Sequence, residues 1–350
     1  MGLEFNAAAR LPSVWVRANG VLLSGIVAAE TLATCRGVGH FKVTQAIGSQ
    51  AQFDKTIWMQ PGLISISISI GLISEATKVN VMDGIVDSVS YIVGQGIVEV
   101  QGRDRAASLL RMQSPGALVN RTADEIVAEI AGRNGLSYTI PPAVGCLGWY
   151  DGSDYIFMQL PEWSRVASDW DVLQLIADQC GWDFYTTCGQ IVLKDQTSTL
   201  AMVRQISESS LLSLRLSLVP LLALPFQTSV SGWNSWQCSQ TFGVTEPVAS
   251  DGNAIESLTV DLGSEADILD LSAGDSGAER IARRRAAQLK AGQSFVEIEC
   301  LGELTLQPCD RFGIQGERLV PGALYKVDRI ERHISAMSGF IEHVLAYVVQ

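Results

Sequence analysis

From Pro12 to Val100, hydrophobic and polar residues alternate in short runs, the period-two pattern of strands with one buried face. Asn19-Gly20, between Val14–Arg17 and Val21-Leu22, predicts a type I′ hairpin, because both turn positions need positive φ. Phe41–Thr44, Ile57–Met59, Ile64–Ile70, Lys78–Met82, Gly84–Ser90 and Ile97–Gln101 are expected to continue as strands. In Ile64–Ile70, isoleucine and serine alternate strictly, which sends one apolar row inward and one hydroxyl row outward. Short strands at this spacing favour a barrel or sandwich.

After Gly102 the period changes. Asp104–Leu110 suits a short helix, and Thr122 opens another, with Glu125 completing a capping box and Gly135 ending it. Ile126, Val127 and Ile130 form its apolar face. In the next helix, Ser168–Cys180, Trp170, Leu173, Leu175, Ile176 and Ala177 face inward and Gly181 is the stop. A hairpin across Cys188-Gly189 joins Trp182–Tyr185 to Gln190–Leu193. Ser114 to Leu200 thus reads as a small α/β unit.

Strand character returns at Leu211–Trp236, followed by a polar stretch, Gly243–Gly277, expected as a surface excursion. Ala278–Lys290 is an amphipathic basic helix: Ile281, Ala282, Ala286 and Leu289 recur at helical spacing among arginines, and Gly292 ends it. Alternation at Phe295–Cys300, Tyr325–Ile330 and Phe340–Val349 predicts a second β unit, with Leu211–Trp236 pairing against Ser294–Val349. Two β units bracketing an α/β insert suggest an old duplication.

A chain of 350 residues is expected to hold two or three domains. The net charge of -12 opposes sequence-neutral binding to a phosphate backbone, yet it suits a wall past which DNA slides. Seven scattered cysteines without a CxxC, and only three histidines, give a zinc site little support. Buried free thiols in a reducing cytosol are the expected state of the cysteines. No secretory signal is evident at the N-terminus, and the apolar stretches Gly62–Ile73 and Leu211–Phe226 are too alternating or too broken to span a membrane as helices.

Asp151 with Asp154, and Asp169 with Asp171, are pairs of the kind glycosidases use, but their setting in a loop and at a helix start favours capping and helix-dipole roles. No GxSxG elbow or GxxxxGK[ST] loop occurs. His333 and His343 lie on different terminal strands and can approach each other, without a nearby acidic or thiol partner. Trp149, Tyr150, Tyr155, Phe157, Trp163 and Trp170 suit either a sugar-binding face or core and interface packing. Arg283, Arg284 and Arg285 are the densest positive cluster, a solvated helix face or a contact to an acidic partner or passing DNA. No catalytic, cofactor-binding or metal-binding residue is assigned.

The order of the segments resembles the phage tail baseplate hub family, also called late control protein D, related to the hub part of VgrG spikes. Gln101-Gly102-Arg103-Asp104-Arg105-Ala106-Ala107-Ser108-Leu109-Leu110 is similar to the family's passage from first barrel to helix. Thr122–Ala131 with Asn134-Gly135-Leu136, and Asp171–Ala177 running into Gly181-Trp182, resemble the helices and hairpin of its insert. Leu304–Asp310 stands where the family often has a Pro-Gly-Asp turn, with Cys309 in the glycine's place. Gly322–His333 and Gly339-Phe340 resemble its closing strands.

The resemblance implies an α+β, mainly β fold, with two similar β-barrel domains and an α/β insert. The expected boundaries are 1–103 for the first barrel, 104–205 for the insert, 206–242 with 293–350 for the second barrel, and 243–292 for the excursion and basic helix. It implies a ring-shaped homotrimer with pseudo-sixfold symmetry, adapting a sixfold tail tube or distal tail protein to a threefold central spike. It further implies contacts with other baseplate proteins, transient passage of genomic DNA, no stable membrane insertion, and a place in the virion tail after synthesis in the bacterial host cytoplasm. A tail-associated wall-degrading enzyme and the hub part of a type VI secretion spike are the alternatives.

Overall fold

The computed structural model describes residues 12–72, 78–112, 121–142, 146–147, 168–195, 204–218, 226–234, 239–244, 256–261, 294–302, 304–316 and 323–349. Strands dominate. The first seven are β1 (Pro12–Ala18), β2 (Val21–Leu22), β3 (Ile26–Thr34), β4 (His40–Ala46), β5 (Ser65–Leu72), β6 (Lys78–Ile92) and β7 (Ile97–Asp104). They curl around one apolar core in which Val16, Val43, Ile68, Ile70, Val98 and Val100 are buried. The Ile/Ser run behaves as its pattern demands: Ile66, Ile68 and Ile70 are all inside. Asn19 and Gly20 both take positive φ in the β1–β2 hairpin.

Two expectations change here. Ile57–Met59 is a 3-10 turn rather than a strand. Its Trp58 is buried and donates its indole N–H to Gln45 Oε1 at 2.8 Å, so the turn plugs the core instead of extending the sheet. Lys78–Met82 and Gly84–Ser90 are one continuous strand, β6, with register shifts that let its two halves pair with β5 and β7.

The insert begins with a 3-10 helix, Arg105–Leu110, capped by the Asp104 carboxylate. Then follow β8 (Arg121–Thr122), α1 (Ala123–Asn134), β9 (Ser137–Thr139), β10 (Cys146–Leu147), α2 (Asp169–Cys180), β11 (Trp182–Thr187) and β12 (Gln190–Asp195). The capping box of α1 forms as expected, and Gly135 and Gly181 stop the two helices in the left-handed region. In α2 the cap is Ser168, whose side chain accepts from the Asp171 N–H, so Asp169 is left for another role. Both helices pack with β11 and β12 around a second core that contains Ile126, Ile130, Leu173, Ile176 and Phe184.

The last elements are β13 (Arg204–Ser207), β14 (Leu211–Leu218), β15 (Phe226–Asn234), β16 (Ser239–Val244), β17 (Glu256–Asp261), β18 (Ser294–Leu301), β19 (Arg311–Gln315), β20 (Leu324–Ser335) and β21 (Gly339–Val348). A third core, with Val296, Phe312, Val327, Ile330 and Val344, lies under β13, β14 and β18 to β21. The expected pairing of Leu211–Trp236 with the C-terminal strands holds only for β14, which runs antiparallel to β18. β15 instead joins β16 and β17 in a separate three-stranded sheet, so part of the polar excursion is strand. The basic helix, with Arg283, Arg284 and Arg285, lies outside the described residues.

The first and last β units share one sheet. β20 pairs antiparallel with β3 from Arg329↔Thr34 to Ser335↔Ala28, giving a 13-stranded sheet whose main path runs β14-β18-β21-β20-β3-β4-β7-β6-β5-β1-β2. The backbone ladder itself is therefore the mechanical link between the two ends of the sequence.

Candidate functional site

Where β3 ends, all three parts of the fold meet. The Cys35 N–H donates to the Asp328 carbonyl at 2.7 Å, and the Arg36 N–H to the Phe184 carbonyl at 2.8 Å, so consecutive residues bind the last β unit and the insert. Cys35 also bridges to Tyr185. Its sulfur is bonded to Cys309, 274 residues later, with the Cα atoms 5.7 Å apart. This overturns the expectation of free thiols for that pair. Cys309 sits at φ 66°, the left-handed conformation that the turn imposes and that glycine adopts without strain.

Charge follows the same geometry. Asp183 on β11 and Lys326 on β20 form a 2.5 Å ion pair that is almost fully buried. Burial pulls the Lys326 ammonium below its ordinary value, and the Asp183 carboxylate only partly restores it. Lys194 on β12 reaches Asp310 at 2.8 Å and lies 5.1 Å from the Tyr185 ring centre. Burial opposes its charge, but Asp310 and Tyr185 outweigh that and raise its pKa. Arg36 meets Asp178 of α2 at 3.1 Å. Asp183 lies within 4.8 Å of both bridged sulfurs, a metal-like grouping, but the sulfurs are bonded to each other and the carboxylate to an ammonium. The arrangement is a clasp.

A second feature lies on the outer face of the joined sheet. The strand registers align Glu299, His343, Glu331, Leu32, His40 and Arg103 in one row across β18, β21, β20, β3, β4 and β7. His333, Glu30, Lys42 and Gln101 form the next. All three histidines of the chain thus line one open groove of about 690 Å³. His333 does have an acidic partner, contrary to expectation: its Nδ1 is 3.3 Å from Glu30 Oε1. Lys42 pairs with Glu99 at 3.2 Å, and Arg103 donates twice to Asp87, at 2.6 and 2.8 Å. That bonding holds the Asp87 carboxyl below its usual range. The groove presents fixed charges of both signs, largely compensated in place.

The remaining sequence candidates fall into structural roles or outside the described residues. Asp169 is wholly buried and accepts from Arg133 Nε at 2.9 Å and from Asn134 Nδ2 at 2.8 Å, which ties α2 to the end of α1. Asp171 accepts the Ser168 hydroxyl at 2.7 Å. Trp170 packs on Phe184, with ring centres 4.6 Å apart. Asp151, Asp154, Trp149, Tyr150, Tyr155, Phe157 and Trp163 lie outside the described residues. Sequence reasoning missed the Cys35–Cys309 bond and the histidine rows. Cys309 in a glycine's place was the available signal for the first, and the second had none, because register across distant strands is not local.

No protein-family model matches the chain, and no curated protein does. Solved structures do. The 43 kDa tail protein of prophage MuSo2 from Shewanella oneidensis superposes with a TM-score of 0.68 at 13% identity, covering 96% of this chain and 98% of that one. The tail protein of Neisseria meningitidis MC58 gives 0.67 at 14% identity, with 96% of each chain covered. An Escherichia coli component of the type VI secretion system, described as structurally similar to the T4 bacteriophage tail proteins gp27 and gp5, gives 0.55 at 10% identity over 96% of this chain and 77% of that one. No described helix is long and apolar enough to cross a membrane. From β1 to β21, the chain has the mainly β fold of phage tail proteins.

Proposed function

We propose that the chain is a structural baseplate hub of a phage or phage-like tail, a homotrimeric ring that adapts a sixfold tube to a threefold spike and lines the channel for DNA. The supporting observation is the end-to-end likeness to a prophage tail protein and to a second tail protein, over almost the whole of each chain. The joined sheet fits that role physically, since a ladder that fuses the first and last β units keeps two wall segments at a fixed angle under load. Around the groove its outer face carries paired charges, which suits a wetted wall past which a polyanion moves without sticking.

The ring, its pseudo-sixfold form, the two barrel-like domains and the spike and tube as neighbours belong to this proposal. So does a docking role for Arg283, Arg284 and Arg285. The experiment is reversal of all three arginines to glutamate in a phage encoding the chain. Tail particles that fail to assemble or to deliver DNA, with the ring itself intact, support the docking role, and unchanged infectivity removes it. Absence of the chain from purified tail particles would remove the hub reading altogether.

A further inference from the structure

The two bridged cysteines are placed by the backbone, independently of the bond between their sulfurs. The Cys309 N–H donates to the Val327 carbonyl at 2.9 Å and the Cys35 N–H to the Asp328 carbonyl at 2.7 Å, so consecutive carbonyls of β20 hold both. The Val327 N–H in turn donates to the Asp310 carbonyl at 2.9 Å. Asp183 is fixed by β11, whose ladder pairs it with Lys194 of β12, and the bridge from Cys35 to Tyr185 lies two residues further on. Breaking the sulfur–sulfur bond therefore leaves two thiols and a carboxylate gathered at one point.

The donor atoms of Cys35, Cys309 and Asp183 all lie within 4.8 Å of one another. Zinc bonds thiolate sulfur at about 2.3 Å and carboxylate oxygen at about 2.0–2.2 Å, so one ion spans a triangle of this size. With the Cα atoms 5.7 Å apart, side-chain rotation parts the freed sulfurs without moving the strands. Charge also balances. Zinc with two thiolates and a carboxylate carries one net negative charge, and the buried Lys326 ammonium, 2.5 Å from Asp183 Oδ2, cancels it. The same lysine then orients the ligating carboxylate from outside the coordination sphere. Cys35 is only partly buried, whereas Asp183 and Cys309 are buried, so reductant and ion enter from the Cys35 side. Three protein ligands leave the fourth tetrahedral position to water.

We infer that Cys35, Cys309 and Asp183 form a zinc site when the disulfide is reduced. A thiol reductant passes two electrons to the disulfide, becomes a disulfide itself and leaves two protein thiols. Zinc then bonds both sulfurs, and the two thiol protons go to solvent. The ion takes over the cross-link, so the junction of the insert with both β units is closed in reducing and in oxidising surroundings alike. The inference does not depend on the hub reading.

Cobalt(II) is the probe, because a cobalt thiolate absorbs visible light and zinc, with its filled d shell, does not. The purified full chain, reduced with a phosphine under nitrogen, is expected to take up cobalt with thiolate charge-transfer and tetrahedral visible bands, and zinc is expected to displace it. The oxidised chain is expected to show no such bands. Cys309→Gly relaxes the turn and is expected to stay folded and lose the bands. Bands of equal strength in that variant assign them to other cysteines and overturn the inference. Asp183→Asn combined with Lys326→Met removes both charges of the ion pair and is expected to bind zinc at least about tenfold more weakly than the reduced parent. Equal affinity overturns the three-ligand site. Zinc is also expected to raise the thermal midpoint of the reduced parent and to leave that of the oxidised parent unchanged. A reduced chain without the bands, or one that unfolds on reduction and is not restored by zinc, overturns the inference.

Discussion

Cys309 occupies a left-handed turn position, and its sulfur is bonded to Cys35 just after β3, so one residue both strains the backbone and closes a loop 274 residues long. The two effects have opposite signs. A cross-link over so long a loop stabilises mainly by restricting the unfolded chain, by about 2–4 kcal/mol, whereas a non-glycine residue at positive φ costs about 1–2 kcal/mol. Cys35→Ser is expected to lose the first and keep the second. Cys309→Gly loses the first and recovers the second. Urea denaturation under oxidising conditions is expected to rank the parent above Cys309→Gly and that above Cys35→Ser. Under a strong thiol reductant the order of parent and Cys309→Gly reverses.

Asp183 and Lys326 hold the insert to β20 from inside the protein. Removing one charge leaves the other buried without its counter-ion, at a cost of about 3–5 kcal/mol. Lys326→Met is therefore expected to destabilise strongly. Adding Asp183→Asn to it is expected to restore much of the loss, and a double-mutant cycle by chemical denaturation measures the coupling. Additive losses would show that the pair does not act as a unit.

Asp104 caps the 3-10 helix at the passage from β7 into the insert, and burial raises its pKa to about 6. The folded state thus holds a proton that the unfolded chain has released, and stability falls as pH rises from about 4 through about 6. Asn accepts the same bond from the Ala106 N–H without the charge. Asp104→Asn is expected to flatten the stability profile across that window and to gain about 1–3 kcal/mol at pH 8. Thermal denaturation between pH 4 and 8 decides it: an unchanged slope assigns the pH dependence to other groups.

Gly102 lies two residues earlier, where β7 crosses β6. A Cβ there would stand 2.2 Å from the Ile85 carbonyl oxygen and 2.4 Å from the Phe41 ring. The first is backbone and has no room to yield. Gly102→Ala is expected to cost at least about 3 kcal/mol and to lower soluble yield. Gly132→Ala, with open space around it on α1, is the matched control and is expected to be neutral or mildly stabilising.

Local signals were legible in the sequence. The Asn19-Gly20 hairpin, the Ile/Ser strand, the Thr122–Glu125 capping box and the helix-stopping Gly135 and Gly181 all depend on neighbours within a few residues. What was not legible depends on distant partners. Ile57–Met59 carries strand residues but is fixed as a turn by Trp58 reaching Gln45. Leu211–Trp236 reads as one β segment, and pairing divides it between two sheets. Cys309 stands out in the sequence only as a misfit in a turn, since nothing near it points to Cys35. The histidine rows exist only because β20 happens to register against β3.

The central claim is that this chain is a ring-forming adaptor of a tail baseplate. Electron microscopy of the purified chain tests it most directly. The account predicts end-on views of closed rings of three copies with a six-lobed outline and an open centre. A population of stable monomers, with no rings at any concentration imaged, would contradict it.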